Sequence, residues 1–485
     1  MKSLFLGHQS WLVSSNNTNI LIDPVLYNAF GSDDDNAIEI YPPREIALDR
    51  MPEIDAIILS HEHSDHFHIP TLIKFRDTPI FVSPLMVDCV LKTIELHGLV
   101  TKIIPFQTLF NIGDLEIILY PSGVDTVFWE SRVSQILVRP VSEPQNGLYI
   151  AVDALVSQQF KDDIENESID LPRAIVVSNN SQITPKGALG SLDNYKAPYN
   201  TDYAHITGLS LLKELLISYL EDIQQIENII ICGGGFTKKY DTYFGAFPFS
   251  DQAKLAEIAN YFSINKKIFG PIPGQSLMIK EYVSYSPDCV SWVIPNIKRQ
   301  MEIKEAGERY KKNPTFVDIK PISNRSFFKN WKMIESELNK LAKVFMLNEI
   351  GNLAIDFIAS RQHAVCPYGL TIKFFSDRTL TTASQYVLNL NTAEFERVEL
   401  SSIDENAIPF GLELFLNDFI GILTGQVQIW DLGGIAIKSW YLGHKLNSPV
   451  AFLYSYFGEQ IHSDLNFKCF IQRWPVQTIG SEKIL

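Results

Sequence analysis

The stretch Ile57-Ile58-Leu59-Ser60-His61-Glu62-His63-Ser64-Asp65-His66 constrains this chain more than any other. Its apolar half is short and bounded by polar residues, the pattern of a strand buried on both faces. Its second half packs three imidazoles and two carboxylates into six residues. A divalent ion requires such groups to converge at about 2 Å. His61 and His63 alternate with Glu62 and Ser64, so their rings leave the chain on one side. Asp65 and His66 follow on the turn, where they can reach a second ion. Between two ions ~3.5–4 Å apart, a bridging water loses its proton near neutrality and becomes a nucleophile. The plain alternative is a polar surface loop, which the density of ligands disfavours.

The surrounding sequence supports a layered α/β arrangement. Strands are expected at 20–23, 56–60, 80–83, 115–120, 148–152, 174–178, 228–232 and 267–269. Helices are expected near 70–76, 86–97, 208–221 and 250–262. Several strands end in a polar residue, Asp23, His61, Asp153 and Asn179, where loops converge and chemistry collects. A charged stretch, 298–312, reads as a linker or helical bridge. Beyond it the character changes: an amphipathic helix near 331–350, strands near 370–375 and 385–390, an apolar segment at 410–423 and an aromatic-rich close at 451–474. The chain thus divides into a metal-binding domain over 1–297 and an α+β domain over 315–485, of a normal size.

Composition narrows the function classes. With 41 Lys and Arg against 56 Asp and Glu the formal net charge is −15. That balance repels phosphate backbones and anionic membranes, so neither nucleic acid nor membrane is an expected partner. The five cysteines, Cys89, Cys232, Cys289, Cys366 and Cys469, form no CxxC pair. They make neither a disulfide framework, a zinc ribbon nor a Rieske cluster, and read as buried small hydrophobes in a reducing compartment. With no signal-like opening and no run of about 20 apolar residues, a cytoplasmic location is expected.

The segment Ser60-His61-Glu62-His63-Ser64-Asp65-His66 resembles the HxHxDH signature of the metallo-β-lactamase superfamily. The opening Phe5-Leu6-Gly7-His8-Gln9-Ser10-Trp11, leading to Ile20-Leu21-Ile22-Asp23-Pro24, is similar to the first strands of that fold. The resemblance covers roughly residues 1–295. It implies an αββα sandwich, two facing sheets flanked by helices, followed here by a smaller α+β domain. It also implies His61, His63, Asp65 and His66 as metal ligands, with Asp153, after the strand Leu148-Tyr149-Ile150-Ala151-Val152, shared by both ions. A turn or helix cap is the alternative role for Asp153.

Two further histidines that the superfamily's hydrolases supply are missing from their expected places. After the 115–120 strand the chain reads Pro121-Ser122-Gly123-Val124-Asp125-Thr126, and Asp125 is the ligand-capable residue until Glu130. Asp125 is a metal-ligand candidate or an Asx-turn residue. After the 267–269 strand only Gln275 stands near the second place. His68, His205 and His8 are other candidates, His68 as a helix cap and His8 as a pocket-lining residue. Three glycines at Cys232-Gly233-Gly234-Gly235-Phe236 permit either close approach to a ligand or a tight turn.

The leading expectation is a metal-dependent hydrolase with two divalent ions, zinc first and iron or manganese as alternatives. A hydroxide between the ions would attack a small-molecule ester, amide or phosphoester, with Asp65 orienting it and accepting its proton. A carboxylate in place of imidazole favours iron or manganese. It resembles the di-iron arylalanine hydroxylases of the superfamily, so an O2-activating oxygenase is the second reading. A degenerate metal-binding interaction protein is the third. In the C-terminal domain His363, His444 and His462 form no motif, and Trp430, Trp440, Tyr441, Tyr454, Tyr456 and Phe457 read as core.

Overall fold

Two β-sheets face each other in the computed structural model. It describes residues 1–31, 37–124, 126, 130–178, 223–233, 236–238, 252–262, 265–312, 319, 321–322, 327–328, 330–360, 366–399, 403–432, 436–442, 449–458 and 460–476. From one edge, the first sheet runs Val283–Tyr285, Ser276–Ile279, Lys2–Gly7, Ser10–Ser15, Thr18–Ile22, Ala56–Leu59, Ile80–Val82 and Thr101–Ile103. The second runs Phe110–Ile112, Leu115–Pro121, Ser134–Pro140, Leu148–Ala151, Ala174–Ser178, Asn228–Cys232 and Lys267–Phe269.

The two-residue period of a strand sorts the apolar residues into layers. Ile58, Phe5, Trp11, Ile20 and Ile22 point between the sheets, where they meet Ile117, Leu119, Ile136, Ile150 and Val176. Their neighbours Ile57, Leu59, Leu4, Leu6 and Leu12 point the other way, toward the Asp88–Leu96 helix. On the far side, Tyr149, Ile175 and Ile229 pack on Phe160 of the Gln158–Glu165 helix and on Leu255 and Ala259 of Gln252–Phe262. The order is helix, sheet, sheet, helix, as the resemblance implies. With both faces covered, the central strands read as continuous apolar runs, which is why the sequence locates them; Thr101–Ile103, Phe110–Ile112, Ser276–Ile279 and Val283–Tyr285, toward the edges, are not among the expected strands.

The strand at Ser134–Pro140 escapes that reading. Its buried Gln135 and Arg139 interrupt the apolar pattern, but each finds a partner: Gln135 Nε2 donates to Leu155 O (2.7 Å) and Arg139 Nε to Glu116 Oε2 (2.8 Å). The helix expected at 208–221 lies outside the described residues.

The C-terminal α+β domain has a five-stranded sheet, ordered Glu394–Val398, Thr382–Asn389, Tyr368–Phe375, Phe410–Phe415 and Ile437–Tyr441. The amphipathic helix near 331–350 is shorter than expected, Trp331–Leu347. Asn348 turns extended (φ −98°, ψ 161°), and a separate helix, Glu349–Ser360, begins. A Cβ at Gly351 would lie 2.3 Å from Phe345 O, so only glycine allows this tight reversal. The apolar 410–423 segment also divides, into the Phe410–Phe415 strand and the Leu416–Thr424 helix, which stops at Gly425 with φ 70°.

The Ser463–Arg473 helix packs back on the sandwich, against the Asp88–Leu96 helix. Phe470 shares a core with Ile94 and Leu99, and Trp474 lies edge-on to Phe67 (5.7 Å between centroids). Among the described residues no helix is long and apolar enough to cross a membrane.

Candidate metal centre

The sandwich gathers strand ends at one rim. His8, Asp23 and Asp153 sit there with φ of 54°, 45° and 48°, a left-handed conformation that costs a non-glycine residue and persists where the surroundings enforce it. Asp23 ends the Thr18–Ile22 strand and is fully buried. Its carboxylate accepts from Ser60 N (2.7 Å) and Ser60 Oγ (2.6 Å) and lies 2.8 Å from His66 Nδ1. With Nδ1 donating to Asp23, Nε2 is aimed at Asp153 and Asp65. Against the pull of burial, their charges raise His66 well above the usual imidazole value. A cation there would take the place of the Nε2 proton, in the arrangement that orients metal-bound histidines. Ser60 Oγ lies 2.8 Å from His61 Nδ1 and orients that ring in the same way.

The imidazoles of His61, His63 and His66 are mutually close, with centroids 4.4 Å apart for His61–His63 and 4.1 Å for His61–His66. Glu130 Oε2 is 3.7 Å from His61 Nε2 and 3.5 Å from His63 Nδ1. His66 Nε2 is 2.7 Å from Asp153 Oδ2 and 3.6 Å from Asp65 Oδ2. Asp153 is steered by Gln9 Nε2 and Ser178 Oγ, each at 2.7 Å. Among the described residues, donor atoms form three sets, each within 4.8 Å: His61, His63 and Glu130; His61, His66 and Asp153; His8, Asp65 and His66.

Of the residues picked from sequence, the fold brings His61, His63, Asp65, His66 and Asp153 together. Asp125 and His205 lie outside the described residues. Glu130 is the carboxylate found beside His61 and His63. Nothing local marks it: its position is set by the next strand, where Ser134 N and Oγ both donate to Ser60 O (3.0 and 2.7 Å). Gln275 does not join the cluster; its Oε1 accepts from Ile272 N within its own turn (3.2 Å). His68 is the N-cap residue of Ile69–Leu72, with Nδ1 2.9 Å from Thr71 Oγ1. Glu62 turns away to pair with Arg132, whose Nε donates to Glu62 Oε1 at 2.8 Å.

This pocket fits a cation. His61 Nε2 and Glu130 Oε2 are buried without a hydrogen-bond partner, a costly state for polar atoms unless a ligand satisfies them. The charge balance agrees. Burial, then the Asp153 and Asp65 charges, push the Glu130 carboxyl well above the usual range. Burial, with the neighbouring His66 and His63, pulls His61 well below the usual imidazole value. Burial alone would raise Asp65, but the charge of His66 and the hydrogen bond from His8 outweigh it and hold Asp65 low. Carboxylates crowded this closely, beside an imidazole held neutral, make a site short of positive charge.

One wall comes from the C-terminal domain. The Trp430 ring lies 4.2 Å from that of His63, with Tyr454 4.6 Å beyond it. Arg132 Nη2 also donates to Gly458 O (3.1 Å), so the residue pairing with Glu62 bridges the domains as well. Trp430, expected as core, therefore meets the site.

Residues 4–127 match the model of the beta-lactamase superfamily domain. A UPF0173 protein of Pyrococcus abyssi is 31% identical over 81 residues, which cover 16% of this chain and 30% of that protein's length. Among solved structures, an isothiocyanate hydrolase from Delia radicum gut bacteria is 16% identical with a TM-score of 0.39, over 58% of this chain and 100% of that one. CmlA, a diiron β-hydroxylase from Streptomyces venezuelae, is 15% identical with a TM-score of 0.37, over 59% of this chain and 54% of its own.

Proposed function

Starting from the N-terminal sandwich as a divergent member of the metallo-β-lactamase superfamily, we propose that the protein is a metal-dependent hydrolase of a small-molecule ester, amide or phosphoester. The observation that carries this reading is the buried convergence of His61, His63, Glu130, Asp65, His66 and Asp153, with donor atoms left unsatisfied. Bound divalent ions supply Lewis acidity, polarising a carbonyl or phosphoryl oxygen and bringing the ionisation of water near neutral pH. His61, His63 and Glu130 would hold one ion, and Asp65 and His66 a second. Asp153 lies within 4.8 Å of donors on both His61 and His66, as a shared ligand requires. Asp65, held anionic, would orient the attacking water by accepting a hydrogen bond from it. Trp430 screens the His63 side from solvent, which strengthens every charge interaction inside.

Glu130 favours a second reading. An oxygen donor standing where an imidazole is usual makes the site harder, which suits iron or manganese better than zinc. On that reading the same pocket hosts a di-iron oxygenase. Metal analysis after aerobic and anaerobic purification separates the two. About two zincs per chain with turnover of ester, amide or phosphodiester substrates supports the hydrolase. Two irons with oxygen uptake would replace it with the oxygenase, and a chain that takes up no metal on reconstitution would defeat both.

A further inference from the structure

The geometry points to His8 as the ligand that completes the second ion position, replacing the remote histidine missing after the 267–269 strand. This inference rests on the reading of the pocket as a two-ion centre. His8 Nε2 lies 2.9 Å from Asp65 Oδ2, and the donor atoms of His8, Asp65 and His66 all fall within 4.8 Å of one another. Ligands at 2.0–2.1 Å from a tetrahedral ion are about 3.3 Å apart. The 3.6 Å between His66 Nε2 and Asp65 Oδ2 already meets that spacing. The shorter His8–Asp65 contact needs to open by only a few tenths of an ångström.

The turn that delivers His8 is fixed far more firmly than a hairpin tip needs. His8 is fully buried and holds a left-handed φ of 54°. Gly7, at φ 110°, precedes it, and a Cβ there would lie 2.7 Å from Arg44 Nε. Arg44, itself fully buried, donates to Leu6 O (2.8 Å), Val25 O (2.6 Å) and Tyr27 O (2.9 Å). On the other side Gly233 N donates to His8 O (2.8 Å), tying the turn to the end of the Asn228–Cys232 strand. The next residue, Gln9, holds Asp153. One hairpin turn thus contributes to the second position twice, through His8 as ligand and Gln9 as the group that steers the shared carboxylate. With His8 counted, each position has two imidazoles and one carboxylate of its own, and Asp153 between them.

Cobalt(II) alone is a suitable probe. The wild-type chain, stripped with a chelator and titrated, is expected to bind two cobalt ions. His8→Ala should lose the second with more than a hundredfold weakening, beyond the 10–100-fold that loss of an orienting neighbour produces. His8→Gln, whose side-chain amide reaches about as far as Nε2, should recover part of that affinity. Two ions of unchanged affinity in His8→Ala, or a His8→Gln that binds the second ion no better than His8→Ala, overturns the assignment. If either variant fails to fold, crystals of the cobalt-loaded wild type decide: an anomalous peak within about 2.1 Å of His8 Nε2 supports it, and two peaks that both lie well beyond that distance overturn it. A wild-type chain holding one ion would sink this inference alone, whereas one holding none would sink the hydrolase reading too.

Discussion

The C-terminal core and the metal pocket are both largely shut off from water, yet they differ in how many polar groups they gather at one point. Around the C-terminal core, Tyr456 Oη donates to Glu337 Oε1 (2.7 Å) and Arg473 pairs with Asp431 and Gln428, while Ser384 Oγ and His462 Nε2 are buried without a hydrogen bond. Its interior is Phe345, Phe410, Phe419, Leu412 and their like. In the pocket, imidazoles and carboxylates face one another, donor atoms lack partners, and the backbone is bent into left-handed turns. The first region lowers its free energy by packing. The second gives some of that up to hold an arrangement a cation can complete.

The largest effect that tests this contrast is Asp153→Ala. It should lose at least one ion and several kcal/mol of transition-state stabilisation, on the order of a thousandfold in rate. Metal analysis with a hydrolysis assay reads both, and full metal retention would show Asp153 to be no ligand. Phe345→Ala in the C-terminal core should cost about 3–5 kcal/mol in a denaturation midpoint series while leaving metal content intact. A drop in metal content at temperatures where the variant is folded would mean the two regions are not separate. Arg132→Ala leaves Glu62 buried and unpaired and should cost about 1–3 kcal/mol, again by denaturant unfolding. Trp430→Ala removes a ring contact worth about 0.5–1.5 kcal/mol. It should change KM or kcat severalfold at constant metal stoichiometry; unchanged kinetics would mean the wall does not touch substrate.

The smallest expected effect is a pH dependence in the C-terminal region. Burial, only partly offset by the Glu337 charge, pulls His462 below the ordinary imidazole value. The unfolded chain then binds a proton that the folded chain refuses, so stability falls as pH drops below about 6.5. His462→Gln should flatten that slope in urea midpoints taken from pH 7.5 downward, and an unchanged slope would assign it to other groups.

What the sequence reveals follows from how locally each feature is determined. His61, His63, Asp65 and His66 are legible because the chain places them side by side after one buried strand. Asp153 is legible through its strand. His8 is named from sequence only as a pocket-lining candidate and Glu130 only as the next carboxylate after Asp125; what places them beside the cluster is strand pairing, in register with Ser60 and across the hairpin. Asp23 reads as a polar strand end, but its contact with His66 depends on the parallel pairing of Thr18–Ile22 with Ala56–Leu59. In the C-terminal domain, apolar content predicts burial yet not where the chain turns, so the breaks at Asn348 and after Phe415 stay hidden.

The return of the Ser463–Arg473 helix to the sandwich also bears on the order in which the protein can be assembled. His97 Nε2 lies 3.0 Å from Trp474 O, 377 positions along the chain, and Phe67, next to His66, rests against Trp474 and Phe470. During synthesis the N-terminal strands emerge and pair first, but the layer beside the ligand loop stays open until the C-terminal domain has been made. Closing a loop of that length is slow, because its entropy is lost before its contacts form. The nascent sandwich therefore waits with its ligand loop uncovered on that side. The face of the His61–His66 loop beside Phe67 is covered only when the C-terminal region is in place.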